Sequence, residues 1–109
     1  MEFSALIQRA GQIRERYENY EKSQYGRAWT DEEIALGFVG DVGDLVKLIQ
    51  VKNGVRHIPD AQAALEHELA DCLWSVIVLA QAYDIDLEQA FTNTMDILEQ
   101  DLSQIEDEE

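Results

Sequence analysis

The sequence is poor in residues that break or staple a chain, with one proline and one cysteine in 109 residues. A lone Cys72 excludes an internal disulfide and any CxxC metal pair, which fits a reducing compartment. Basic residues are missing beyond Arg56, since all eight Lys and Arg lie at or before it while fourteen of the 23 acids follow it. A net charge of −15 repels phosphate backbones and anionic membrane surfaces. Neither a nucleic-acid polymer nor a membrane is therefore expected as a partner, and an anionic small ligand would need divalent cations as intermediaries. No uncharged apolar run is long enough to span a bilayer, and Met1-Glu2-Phe3-Ser4 lacks the basic-then-apolar pattern of a signal peptide. The expected location is cytoplasmic. Sustained period-two alternation, internal repeats, phosphate-cradling glycine loops and a Gly-x-Ser-x-Gly elbow are also absent.

What remains is helical periodicity. Phe3, Leu6, Ile7, Ala10, Ile13, Tyr17 and Tyr20 recur at three- and four-residue steps, predicting a helix over 3–23. Thr30 with Glu33 forms a capping-box signature, and the apolar pattern from Ile34 to Ile49 runs to Asn53-Gly54, predicting a second helix over 31–52. Pro59-Asp60 opens a third, whose apolar residues from Leu65 to Tyr83 cover much of its circumference and make it the most buried. Asp86 with Gln89 opens a fourth through Phe91, Met95, Leu98 and Leu102, ending in a frayed acidic tail at 106–109. The reading is an all-α, four-helix bundle-like single domain spanning 1–109. A bundle this short leaves apolar faces that a second copy can cover, so completion by oligomerisation is expected.

Charged residues on helices are most often a solvated face. Asp41 and Asp44 instead interrupt the apolar run from Phe38 to Val46, and Glu68 and Asp71 interrupt the run from Leu65 to Val78. Each pair is spaced i, i+3 and so shares one helix face. Charge at the edge of a core is costly unless paired or metal-bound. No Lys or Arg lies beyond Arg56, leaving Lys47, Lys52, Arg56, an arginine of the first helix or a cation from solution as partners. An all-oxygen donor set selects Mg²⁺, or Mn²⁺ in its place. Gly40 and Gly43 beside Asp41 are compatible either with room for a bulky ligand or with close helix contact. Di-iron carboxylate bundles are disfavoured, because Gly54 and Ala64 stand three residues before His57 and His67 where Glu would be needed.

The segment Leu36-Gly37-Phe38-Val39-Gly40-Asp41-Val42-Gly43-Asp44-Leu45, followed by Glu68-Leu69-Ala70-Asp71-Cys72-Leu73-Trp74, resembles the split acidic motif of the MazG-like all-alpha nucleotide pyrophosphohydrolases. In form it is most similar to the branch that includes the dCTP pyrophosphatases. The resemblance spans roughly residues 29–96. It implies a homodimer or homotetramer and Mg²⁺-dependent hydrolysis of a nucleoside triphosphate to a monophosphate and pyrophosphate, a reaction suited to nucleotide-pool house-cleaning. It also implies Asp41, Asp44, Glu68 and Asp71 as metal ligands. Asp41 and Asp44 stand where the family usually has Glu, and Thr94 and Leu98 stand where it commonly has Lys and Asn. A weakly active or non-enzymatic nucleotide- and metal-binding oligomer is the alternative.

A carboxylate not saturated by metal can orient the attacking water, and Asp41 and Glu68 are the candidates. Trp29 stands where similar proteins have a Trp near the nucleobase, and its indole face can stack a base or anchor a core. Lys47, three residues beyond Asp44, and Arg56 are candidate phosphate contacts. Lys52 is better explained by the negative end of its own helix.

Overall fold

The computed structural model describes residues 2–54 and 56–108, which form α1 (Phe3–Tyr25), α2 (Asp31–Lys52), α3 (Ala61–Ala82) and α4 (Leu87–Glu108). No strand occurs among the described residues. The local signals act largely as the chemistry of helix ends requires. At α2 the Thr30 hydroxyl accepts from the Glu33 N–H at 3.2 Å, and the Glu33 carboxylate accepts from the Thr30 N–H at 3.1 Å, so the capping box is complete. Gly26 ends α1 in the left-handed region (φ 79°) and donates its N–H to the Lys22 carbonyl, two residues later than the apolar pattern predicts. At α4 only half of the expected box forms. Asp86 accepts from the Gln89 N–H, but the Gln89 amide donates to Asn93 at 2.8 Å instead of reaching back. The acidic C-terminal stretch, expected to fray from Glu106, is helical through Glu108, and Glu109 lies outside the described residues.

Helix α3 packs against both α1 and α2 and is the centre of the fold. It supplies Ile77, Val78 and Ala80 to a small core completed by Ala10, Ile34 and Leu48. Gly11 lets α1 come close to α3, since a Cβ there would meet the Gln81 side chain at 2.9 Å. Gln81 in turn donates to the Ile7 carbonyl. Leu69 and Leu73, expected inside, are half exposed, because within one chain nothing covers that side of α3.

Helix α4 buries no residue at all. Its Phe91, Leu98, Leu102 and Ile105 follow a strict alternation of three- and four-residue steps through Met95, yet remain exposed. The radius of gyration is 17.7 Å, against about 13 Å for a compact domain of this length. No described helix is long and apolar enough to cross a membrane.

Candidate functional site

The packing of α2 on α3 brings the two acidic pairs together. Asp41 and Asp44 from α2 and Glu68 from α3 each place a carboxylate oxygen within 4.8 Å of the others. That limit is slightly longer than the roughly 4.2 Å between opposite ligands of one octahedral Mg²⁺ with 2.1 Å bonds. Asp41 and Glu68 are partly buried, and Asp44 is exposed. Burial first, then the charges of Asp71 and Asp44, push the Asp41 carboxyl above its ordinary pKa. Burial first, then Asp41, Asp44 and Asp71, do the same to Glu68. The Cys72 thiol is likewise pushed up, by burial and then by Asp41, Glu68 and Asp71, which disfavours its thiolate.

Asp71 stands beside this triplet and not within it. One of its oxygens lies 3.1 Å from His67 Nε2, an i, i+4 contact on α3. Its charge still reaches Asp41 and Glu68.

The cations that could have neutralised these acids are engaged elsewhere or make no bond to them. Arg14 pairs with Glu21, Arg27 with Glu33, and Lys52 donates to Gln62 at 2.8 Å. Among the described residues no Lys or Arg forms an ion pair with the four acids. Lys47 and Arg56 are exposed, and neither lines the cavity described next. Glu68 Oε2 is buried without a hydrogen-bond partner. An unmet buried carboxylate oxygen inside a cluster of like charge is the arrangement a divalent cation relieves, so the donor set fits Mg²⁺ or Mn²⁺.

A cavity of about 600 Å³ opens beside the acids, with Asp41 and Asp71 in its wall. Five aromatic side chains share the lining: Tyr17, Tyr20 and Tyr25 from α1, Trp29 from the α1–α2 connection and Trp74 from α3. Tyr17 and Trp74 meet edge to face with ring centroids 6.0 Å apart. The Trp74 indole N–H is buried without a partner. Gly37 also lines the cavity, and a Cβ at Gly37, Gly40 or Gly43 would touch nothing within 4 Å. Of the two readings of the glycines, open space is the one found within this chain.

Carboxylates and aromatic rings in one cavity wall suit a ligand with an anionic, metal-dependent part and a flat apolar part.

Trp29 was legible as a site residue, but the α1 contribution was not. Arg14 and Glu21, both buried, line the same cavity. The available signal was their spacing of seven residues on the face of α1 that carries Ala10 and Tyr17. Thr94 and Leu98 lie on α4 away from these groups. The Thr94 hydroxyl donates to the Ala90 carbonyl at 2.9 Å, and Leu98 is exposed.

Comparison with known proteins was made at family and single-protein level. The MazG nucleotide pyrophosphohydrolase domain matches residues 30–103. Mouse (Mus musculus) dCTP pyrophosphatase 1 is 38% identical over 68 residues, covering 58% of this chain and 40% of the mouse protein. The Rattus norvegicus and Bos taurus proteins of the same name are 37% and 38% identical over the same length and coverage. The match therefore spans about two fifths of the length of these curated relatives. No solved structure matches the chain.

Proposed function

This chain belongs to the MazG nucleotide pyrophosphohydrolase family, and from that premise we propose that it hydrolyses a nucleoside triphosphate to a monophosphate and pyrophosphate. The observation that carries the reading is the carboxylate triplet with an orphaned Glu68 oxygen, opening on an aromatic cavity of nucleoside size. Asp41, Asp44 and Glu68, with Asp71 as the fourth carboxylate, would hold Mg²⁺, or Mn²⁺ in its place. Bound there, the metal neutralises phosphate charge and lowers the pKa of water.

The chain's own groups account for the rest. Asp41 and Glu68 are the proposed catalytic carboxylates, because both sit where burial and like charge raise their proton affinity, as a group that accepts a proton from water requires. His67 Nε2, 3.1 Å from one Asp71 oxygen, is the neighbour that would orient this fourth carboxylate. Trp29 and the tyrosines offer ring faces to the base. Lys47 and Arg56, exposed and uncommitted, are proposed to meet phosphate oxygens once the site is filled. Hydrolysis of a canonical or damaged nucleotide in the cytoplasm, as house-cleaning of the pool, is the role these parts suit.

The same reading takes 1–109 as one domain completed by self-association, as a homodimer or homotetramer. The lone chain exposes 8309 Å², where a compact monomer of this mass exposes about 6,100 Å². The apolar face of α4 is part of what is left uncovered.

Incubating the protein with a panel of nucleoside triphosphates and Mg²⁺, and measuring pyrophosphate, tests the proposal. Release with one or more members, abolished by chelator, is the expected result. A nucleotide-binding oligomer without turnover is the second reading. It is favoured by the Thr94 hydroxyl being tied to its own helix, and it would give metal-dependent binding and no pyrophosphate.

A further inference from the structure

The cavity wall also contains a buried ion pair that the hydrolytic chemistry does not use. Arg14 and Glu21 are 8% and 7% exposed, although both are ionisable side chains. Arg14 Nη1 donates to both Glu21 oxygens, at 3.2 and 3.1 Å. The pair also closes on the backbone of Trp29 from both sides: Arg14 Nη2 donates to the Trp29 carbonyl at 3.1 Å, and the Trp29 N–H donates to Glu21 Oε1 at 2.8 Å. Arg14 Nε lies 3.5 Å from Glu18 on the outer side, so the guanidinium is committed in every direction.

A buried pair of this kind is a poor way to gain stability. Desolvation of both charges offsets their attraction, and well-packed apolar residues usually serve as well or better. What the pair does provide is a fixed place for one residue. Trp29 lies in the five-residue connection between Gly26 and Thr30, where no helical hydrogen bond holds its N–H or C=O. The connection is fastened on its far side by Arg27, which donates to Glu33 and to the Ala28 carbonyl. Trp29 is therefore held in register at the cavity wall that Trp74 of α3 also lines.

We propose that Arg14 and Glu21 are positioning residues that set the Trp29 indole against the base of a bound nucleotide, and so supply the base-dependent part of its affinity. The proposal rests on the nucleotide reading of the cavity. It goes beyond that reading in assigning a role to a pair on α1 that touches none of the acidic residues. A ligand with the same phosphates and no base should be indifferent to it.

The test uses the double variant Arg14→Met/Glu21→Leu, which removes both charges together and leaves neither orphaned. Equilibrium affinity is measured with Mg²⁺ for an α,β-methylene nucleoside triphosphate and for inorganic tripolyphosphate. The expected result is a melting temperature equal to or above wild type, at least a tenfold loss of affinity for the nucleotide analogue, and an unchanged affinity for tripolyphosphate. Glu21→Gln, whose amide oxygen still accepts from the Trp29 N–H, should lose less than Glu21→Ala, and these two carry the test should the double variant not fold. Glu18→Ala, which touches Arg14 only from outside, should leave both affinities unchanged. Equal losses for the two ligands would mean a general distortion and overturn the proposal, as would unchanged nucleotide affinity in a folded double variant. Absence of pyrophosphate release by wild type, with this binding pattern intact, would count against the hydrolase reading alone.

Discussion

Replacing Glu68 by Gln should stabilise the metal-free protein while removing its activity, an outcome opposite to that of breaking an ordinary ion pair. Two carboxylates from α2 lie within 4.8 Å of a Glu68 oxygen, and no Lys or Arg pairs with any of the three. At that separation two like charges repel by about 0.9 kcal/mol at the dielectric of water and about 3.5 kcal/mol at an effective value of 20. Asp44 is exposed and its share is screened, so the lower figure is the safer guide. Removing one charge should therefore stabilise by about 1 kcal/mol, or raise the melting temperature by about 4–8 °C. The assay is thermal unfolding of wild type and Glu68→Gln in chelator at neutral pH and low salt, repeated with Mg²⁺. Wild type should gain stability from the metal and the variant should gain little. A variant less stable in chelator, with an undiminished response to Mg²⁺, would refute the reasoning, because it would make Glu68 a structural acceptor.

Further outcomes follow from other parts of the molecule. Because Asp41 and Glu68 have raised pKa values in the folded state, the metal-free protein binds more protons folded than unfolded across the interval above the ordinary carboxylate pKa of about 4. Its stability should therefore fall as pH rises through that interval and level off above it, while the Mg²⁺-induced gain in melting temperature grows. Thr30→Ala removes the α2 cap and should cost about 1 kcal/mol, read as a lower melting temperature with Mg²⁺ affinity unchanged. Leu98→Glu on the uncovered face of α4 should shift the molecular mass measured by light scattering toward the monomer. An unchanged mass would place the interface elsewhere.

The sequence carried α2 residue for residue, because its capping box and Asn53-Gly54 stop are local chemistry that tertiary packing had no reason to override. It carried the start of α3 less well. Asp60 adopts φ 56° and makes no side-chain cap, so the helix begins at Ala61. The convergence of Asp41, Asp44 and Glu68 was legible because charges that interrupt an apolar stripe need a partner, whereas the choice among Lys47, Lys52, Arg56, an arginine of α1 and a cation from solution stayed open in the sequence. The division of labour at Asp71 was not read, although His67 four residues earlier on the same face announces it. The aromatic wall was beyond sequence reasoning for a different reason. Tyr17, Trp29 and Trp74 come from separate elements, and only the packing of α1 on α3 makes them neighbours. Arg14 was readable only as one of the first-helix arginines that could partner the acids, and its pairing with Glu21 was not, although the spacing of both on the Ala10–Tyr17 face matches their burial.

The central claim is that the carboxylate cluster and the cavity together cleave a nucleoside triphosphate between its α and β phosphates. Phosphorus NMR of such a substrate incubated with the protein and Mg²⁺ tests it most directly. The account predicts paired growth of nucleoside monophosphate and pyrophosphate signals, lost in chelator and in Asp41→Asn. Orthophosphate with a nucleoside diphosphate, or no turnover of any triphosphate with Mg²⁺ or Mn²⁺, would contradict it.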